Sequence, residues 1–111
     1  MKIQCDIALL GRPVVDEASR RLGRVAAAYC TLDPDMVVWF VLRLPGLRRQ
    51  WRAVPAEGAH WNNSAATVLW VPFPREQVLA SPIVDEDSLG RARRRGEVEA
   101  FYAAQRTLAP R

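Results

Sequence analysis

The residues of this 111-residue chain that most often bind metals or attack substrates are Cys5, Cys30 and a single histidine, His60. The cysteines have no Cys-x-x-Cys spacing, and one histidine cannot complete a zinc ligand set with them. The sequence therefore predicts no metal centre. The sequence leaves open whether the two cysteines form a disulfide. We expect free buried thiols, as is usual in a reducing compartment.

Other groups that could do chemistry lack the surroundings that catalysis needs. A nucleophilic serine often sits in a Gly-x-Ser-x-Gly turn, and this context is missing around Ser19, Ser64, Ser81 and Ser88. The acidic residues 85–87 lie in a linker and would need a metal to form a site. Gly11 and Gly23 are isolated, so no phosphate-binding loop is indicated. We expect Gly11 to relieve crowding and Gly23 to allow a close backbone approach. The sequence therefore predicts a protein that is not an enzyme and uses no cofactor.

Two arginine clusters could bind an anionic partner, and the first of them comprises Arg48, Arg49, Trp51 and Arg52. Arginine with an interleaved tryptophan can stack on bases and pair with phosphates. Both residue types are also enriched at protein interfaces. A plain loop that places Trp51 in the core is the third interpretation, and the sequence leaves all three open.

The second cluster lies near the end of the chain and comprises Arg91, Arg93, Arg94 and Arg95. It is either a flexible basic patch for phosphates or acidic protein surfaces, or a solvated linker balanced by the neighbouring acidic residues. Gly90 and Gly96 argue against a rigid recognition helix here, so we favour the linker.

Composition places the chain among ordinary globular domains, since 50% of it is hydrophobic and 25% is charged. The formal net charge of +4 suggests nucleic acid or acidic partners. However, Lys2 is the only lysine among 16 basic residues, a skew that an arginine-favouring genome gives to any protein. The longest strongly apolar run, residues 36–42, is far shorter than the roughly 20 residues of a membrane span, and the first ten residues lack a signal-peptide core. We expect a cytoplasmic protein with no membrane span.

Short apolar runs separated by turn signals predict β-structure along most of the chain. Residues 37–44 are apolar on both faces, which is typical of a central strand covered on both sides. The predicted strands are 13–15, 23–32, 37–44, 50–54, 59–62 and 66–71. The tryptophans Trp39, Trp51, Trp61 and Trp70 are expected in the core or at a subunit interface rather than around a ligand, and His60 is expected to be exposed.

Helical signals begin only after Pro72. Residues 74–80 predict one or two helical turns. A helix is predicted over 97–108, because apolar and neutral residues recur there at helical spacing: Val98, Phe101, Tyr102 and Gln105. We predict a mainly β fold, a small antiparallel barrel of about six strands, with the apolar stripe of a C-terminal helix covering it. Residues 1–83 form the barrel core, and residues 84–111 form a linker and helix of the same domain.

The order of these segments resembles the PRC-barrel domain family. This module is shared by the cytoplasmic part of the photosynthetic reaction-centre H subunit and the carboxy-terminal half of a bacterial ribosome-maturation factor, and stand-alone members also occur. The resemblance depends on LGRPVVD (10–16), LGRV (22–25), VVWFVL (37–42), VP (54–55), VPFPREQV (71–78), ASP (80–82) and AFY (100–102). It implies a docking barrel that binds other proteins and carries no catalytic residues.

The function expected from this resemblance is a non-catalytic protein–protein interaction module that associates with itself, as a homodimer. The alternative is an RNA- or ribosome-associated factor in RNA processing or ribosome maturation, which the arginine clusters would serve. Binding through phosphates weakens steeply with salt, so salt dependence separates the two hypotheses.

Overall fold

The computed structural model describes residues 3–31, 36–46, 51–65, 67–85 and 88–108. Its seven strands are β1 (Pro13–Val15), β2 (Arg21–Cys30), β3 (Val37–Arg43), β4 (Trp51–Pro55), β5 (His60–Trp61), β6 (Leu69–Trp70) and β7 (Ile83–Val84). The helices are α1 (Arg75–Ala80) and α2 (Ala92–Leu108), and two short 3₁₀ turns lie at Ile7–Leu9 and Ser88–Gly90. Three ends of predicted strands, Leu32, Gln50 and Ala66, lie outside the described residues.

One sheet contains all of these strands in the order β5-β6-β1-β2-β3-β4-β7. Every neighbouring pair is antiparallel except β1 and β6, which run parallel. The mainly β fold and the C-terminal helix are therefore confirmed. In the part of the chain that the structure describes, β5 and β7 end the sheet and do not pair with each other, so closure into a barrel remains a prediction.

The core centres on β3, which pairs with β2 on one side and β4 on the other. Trp39, Phe40, Val41 and Leu42 are all buried, as expected of a strand covered on both faces. Val38 departs from this pattern, because its side chain is 43% exposed. The pairing of β2 with β3 is interrupted by two register shifts, which increase the local twist of the sheet.

Two glycines beside the first hairpin serve different needs. A side chain on Gly23 would overlap the carbonyl oxygen of Arg43 on β3, so the close backbone approach expected there is confirmed. Gly11 has open space around it, and its φ of +80° is a conformation that side chains disfavour. The expectation that Gly11 relieves crowding was therefore wrong; its role is conformational.

A buried aspartate ties the β1–β2 hairpin to α1. Asp16 accepts hydrogen bonds from the backbone N–H of Arg20 (2.8 Å), Ala18 (3.0 Å) and Arg75 (3.3 Å), and it pairs with the Arg20 guanidinium at 3.0 Å. Burial acts to raise the pKa of Asp16, but these hydrogen bonds and the positive charge of Arg20 outweigh it, so the pKa lies below its ordinary value. The ionised carboxylate is thus part of the fold.

Helix α2 covers the sheet through its apolar stripe, as predicted. Val98 and Tyr102 are buried, and the Tyr102 ring lies 5.0 Å from that of Phe73 and 6.3 Å from that of Trp39, measured between centroids. The Tyr102 hydroxyl donates a 2.6 Å hydrogen bond to the carbonyl oxygen of Ala53 on β4. Burial raises the pKa of Tyr102, which keeps this donor neutral.

Candidate interaction surface

The first arginine cluster does not form a single surface in the structure. Arg48 and Arg49 lie outside the described residues. Trp51 begins β4, is half-buried, and lies opposite Arg43 of β3 and Val84 of β7. Trp51 is thus held in the sheet by strands on both sides, rather than projecting from a loop.

Arg52 is a cation in the interior of the protein. Its side chain is 7% exposed, it lies opposite Leu42 of β3, and one of its terminal nitrogens donates to the Trp51 carbonyl oxygen at 3.3 Å. Its Nε is buried and has no hydrogen-bond partner among the described residues. Burial lowers the pKa of Arg52, partly opposed by nearby Tyr102. A guanidinium in this position does not extend the surface around Trp51.

The second cluster is helical, which corrects the expectation of a linker. α2 begins at Ala92, and its first turns are joined by ion pairs: Arg93 to Glu97 (3.7 Å), Arg94 to Glu97 (2.7 Å) and Arg95 to Glu99 (3.8 Å). Pairs at these spacings, added to the packing of Val98 against the core, offset the cost of Gly96 within the helix. Arg91 lies just before the helix and lines a shallow cleft with Arg93, Arg94 and Glu97. Pairing with glutamates reduces the positive field that this face offers to an anion.

The tryptophans and the histidine occupy structural positions. Trp39 is buried beneath α2, as predicted for a core residue, and Trp61 is half-buried in β5. His60 is exposed, as predicted, and stacks on Trp70 of the neighbouring strand with ring centroids 4.5 Å apart. The Trp70 indole N–H also donates to the Glu17 carbonyl oxygen at 3.3 Å. The stacking joins β5 to β6, and the hydrogen bond joins β6 to the turn between β1 and β2.

A feature that the sequence analysis did not identify lies before β1. The 3₁₀ turn Ile7–Leu9 begins at Asp6, whose side chain accepts the backbone N–H of Ala8 at 3.0 Å. Arg12 donates from Nε to the Ala8 carbonyl oxygen at 3.0 Å, and Arg24 of β2 donates to the Gly11 carbonyl oxygen at 2.8 Å. Two guanidinium groups are therefore fixed beside this turn.

A disulfide between Cys5 and Cys30 holds the same turn against the end of β2. The expectation of free thiols was wrong, because the sheet brings two cysteines separated by 25 positions to a Cα–Cα distance of 6.1 Å, within the range for a disulfide. The buried side chains of Ile3 and Leu9 anchor the segment from both sides of Cys5.

The turn presents apolar side chains outward in spite of these anchors. Ile7 is 83% exposed and Leu10 is 50% exposed. Leu10 follows the turn as its C-cap, in an extended conformation, so the two exposed side chains lie at either end of the turn. Together with Arg12 and Arg24 they form what we call the N-terminal turn surface. Exposure of an isoleucine inside an apolar run has no signature in the sequence, which is why this surface was missed.

Within the described ranges, no group of three or more His, Cys, Asp or Glu side chains is placed to hold a metal ion. No described helix is long and apolar enough to cross a membrane. No protein-family model and no curated protein matches the chain. The N-terminal turn surface is the strongest candidate for an interaction site, because it combines exposed apolar area with fixed positive charge.

Proposed function

We propose that the protein is a non-catalytic docking module that binds another protein through the N-terminal turn surface. One observation carries this proposal: Ile7 is 83% exposed although its turn is fixed by a disulfide and by capping hydrogen bonds. An exposed aliphatic side chain on a pre-organised turn loses little entropy when a partner covers it, and this increases affinity.

The charges of this surface indicate the chemistry of the partner. Arg12 and Arg24 flank the apolar pair, and their guanidinium groups are oriented by hydrogen bonds to backbone carbonyls. Asp6 is engaged in capping the turn. We therefore expect a protein partner with an apolar cleft bordered by carboxylates, since interfaces match opposite charges around a desolvated centre.

The proposal extends to a PRC-barrel type of architecture. The strand order with α2 across the sheet and the two register shifts between β2 and β3 support a curved sheet of this kind, and the family is one of docking modules. We propose the cytoplasm as the compartment; the disulfide between Cys5 and Cys30 exchanges there with thiol reductants, and the N-terminal turn surface has its full rigidity in the oxidised form.

No specific observation favours the RNA-associated alternative. Arg52 is buried, and the arginines of α2 are paired with Glu97 and Glu99. RNA remains an outcome that the experiment below separates from protein docking.

The proposal is tested by purifying partners from cell extract with and without nuclease, using three baits: the wild-type protein, Ile7→Ser and the matched control Ile83→Ser. Ile83 is also an exposed isoleucine, at 47%, but lies on β7 at the far end of the strand order. We expect nuclease-resistant proteins that bind the wild type and Ile83→Ser but not Ile7→Ser. Identical partners on all three baits, or the loss of every partner with nuclease, would contradict the proposal.

A further inference from the structure

Arg52 on β4 carries a buried positive charge that no described residue neutralises. Its side chain is 7% exposed, and its Nε is enclosed without a hydrogen-bond acceptor among those residues. The ion pairs formed in the described part of the chain all involve other arginines. Burial lowers the pKa of Arg52, but an arginine stays protonated at neutral pH. A buried charge without a counter-charge is costly, so this guanidinium is suited to receive an anion.

The neighbours of Arg52 in the sheet are apolar. Arg52 lies directly opposite Leu42 of β3 and Ile83 of β7, and residues opposite each other in an antiparallel pair project to the same face. Val54, two residues further along β4, shares this face and is fully buried. Tyr102 is the titratable group that acts on Arg52, and it is neutral because burial raises its pKa. None of these neighbours supplies a negative charge.

One edge of the guanidinium has the geometry that binds a carboxylate. Nη1 of Arg52 donates to the carbonyl oxygen of Trp51 at 3.3 Å. Nε and Nη2 carry parallel N–H bonds along the other side of the planar group, and such an edge can bind both oxygens of a carboxylate at once. A carboxylate placed there would accept the hydrogen bond of the enclosed Nε and would neutralise the charge.

The way to this edge leads past β7, which ends the sheet. β7 has two residues and pairs only with β4 among the described strands. A strand this short has few contacts to lose, so it opens more readily than the core strands. Ile83 is 47% exposed, which places solvent beside β7 on the face that carries Arg52. Because Arg52 itself is nearly enclosed, a folded protein surface cannot reach its guanidinium, whereas a slim molecule can reach it when β7 moves.

We propose that Arg52 binds the carboxylate of a small aliphatic acid, which enters beside β7 and packs its hydrocarbon chain against Ile83. The carboxylate accepts hydrogen bonds from Nε and Nη2, and the chain covers apolar surface that Ile83 exposes. β3 separates this site on β4 from β2, against which the N-terminal turn surface lies. The proposal therefore adds a small-molecule site to the docking function and does not depend on it.

The experiment titrates the oxidised protein with sodium butyrate at constant ionic strength, and butanol serves as the uncharged probe of the same chain length. Proton–nitrogen correlation NMR follows the Nε–H of Arg52, which is assigned through its connectivity to the side-chain protons. We expect butyrate to shift this resonance saturably. We also expect it to raise the midpoint of thermal unfolding, because a ligand that binds only the folded state stabilises that state. Butanol should do neither.

Two variants assign the effect to the buried charge. Arg52→Met should weaken butyrate binding at least about tenfold, which is the loss expected when a charge-assisted hydrogen bond is removed. Arg43→Met is the matched control, since Arg43 is an exposed arginine on the neighbouring strand β3, and this variant should bind butyrate like the wild type. Thermal unfolding in increasing butyrate gives the affinity of each variant.

Three results would each overturn the proposal: an Nε–H resonance that butyrate leaves unmoved, equal butyrate binding by Arg52→Met and Arg43→Met, or butanol binding as tightly as butyrate. If Arg52→Met does not fold, the NMR titrations of the wild type with the two probes decide alone. Ile7→Ser separates this proposal from the docking proposal, because it should abolish partner docking and leave butyrate binding intact.

Discussion

Both ends of the chain lie against the sheet, but they are held there in different ways. At the C-terminal end, α2 buries Val98 and Tyr102 and is fixed by packing and one short hydrogen bond. At the N-terminal end, the segment is fixed by a covalent bond and leaves Ile7 exposed.

The difference shows what each end contributes. The apolar stripe of α2 is buried against the sheet in the folded protein. This helix therefore adds stability and offers little apolar surface to a partner. The N-terminal segment buries Ile3 and Leu9, is cross-linked by the disulfide, and keeps other apolar side chains outside. Variants in α2 should therefore change stability, whereas variants in the N-terminal turn should change binding.

The largest effect is expected at Tyr102. Replacing it with alanine removes a buried ring between β4 and Phe73 and should lower the free energy of unfolding by about 3–5 kcal/mol. Tyr102→Phe keeps the ring and loses the hydrogen bonds of the hydroxyl, to Ala53 and with Ser81, which costs about 1–2 kcal/mol. Urea denaturation followed by circular dichroism measures both. Equal losses for the two variants would mean that the hydroxyl, not the ring, fixes α2.

Removing the disulfide should have the next largest effect. Cys5→Ala combined with Cys30→Ala releases a cross-link between residues 25 positions apart and should cost roughly 3 kcal/mol. Reduced wild type serves as the control, because it loses the same cross-link without a change of sequence. Near-ultraviolet circular dichroism from Trp39 and Tyr102 should stay native, since α2 packs elsewhere. Loss of that signal would contradict the independence of the two ends.

The lowered pKa of Asp16 predicts how the stability of the protein changes in acid. Its pKa is lower in the folded protein than its ordinary value of 3.8, so its ionised form stabilises the fold above about pH 4, and this contribution is lost as the pH falls through the folded pKa. Asp16→Asn should cost roughly 2 kcal/mol at neutral pH and should flatten the stability profile below pH 4. An unchanged profile in the variant would show that other groups control acid unfolding.

A substitution at Arg52 tests whether the buried charge near α2 stabilises the protein. Because its Nε is buried without a partner among the described residues, replacing the charge with an apolar chain of similar length removes a desolvation cost. We expect Arg52→Met either to leave the free energy of unfolding within about 1 kcal/mol of the wild-type value or to raise it. A loss of several kcal/mol would indicate that the guanidinium is paired in solution.

The smallest effect on stability is expected at the exposed turn. Ile7→Ser should change the free energy of unfolding by less than about 0.5 kcal/mol, because surface substitutions rarely do more. The same variant should abolish partner binding. A clear destabilisation would mean that Ile7 packs against the protein in solution, which would remove the basis of the docking proposal.

The sequence predicted the elements that local patterns determine. Alternation and two-sided apolar character located β1, β3 and the core around Phe40, and the spacing of Val98 and Tyr102 located the buried face of α2. The start of α2 was missed, because a run of arginines next to Gly96 is typical of a linker until its ion pairs with Glu97 and Glu99 are known. The two-residue strand β7 is too short to leave a pattern.

The candidate site was less predictable, for a physical reason. Whether Cys5 reaches Cys30 depends on the path of the chain past the end of β2, which spacing along the sequence does not encode. The same holds for Ile7 and Arg52, because an apolar residue that faces water and a cation that lies inside both run against their average preferences.

Hydrogen exchange of the backbone amides of Leu9, Leu10 and Arg12, which donate within the N-terminal turn, tests the central claim most directly. The oxidised and reduced proteins are compared under the same conditions. We predict that reduction accelerates exchange at these amides, while the amides of β3 and of α2 around Tyr102 keep their protection. Unchanged exchange in the turn, or an equal acceleration throughout the sheet, would contradict the claim that the disulfide fixes the N-terminal turn independently of α2.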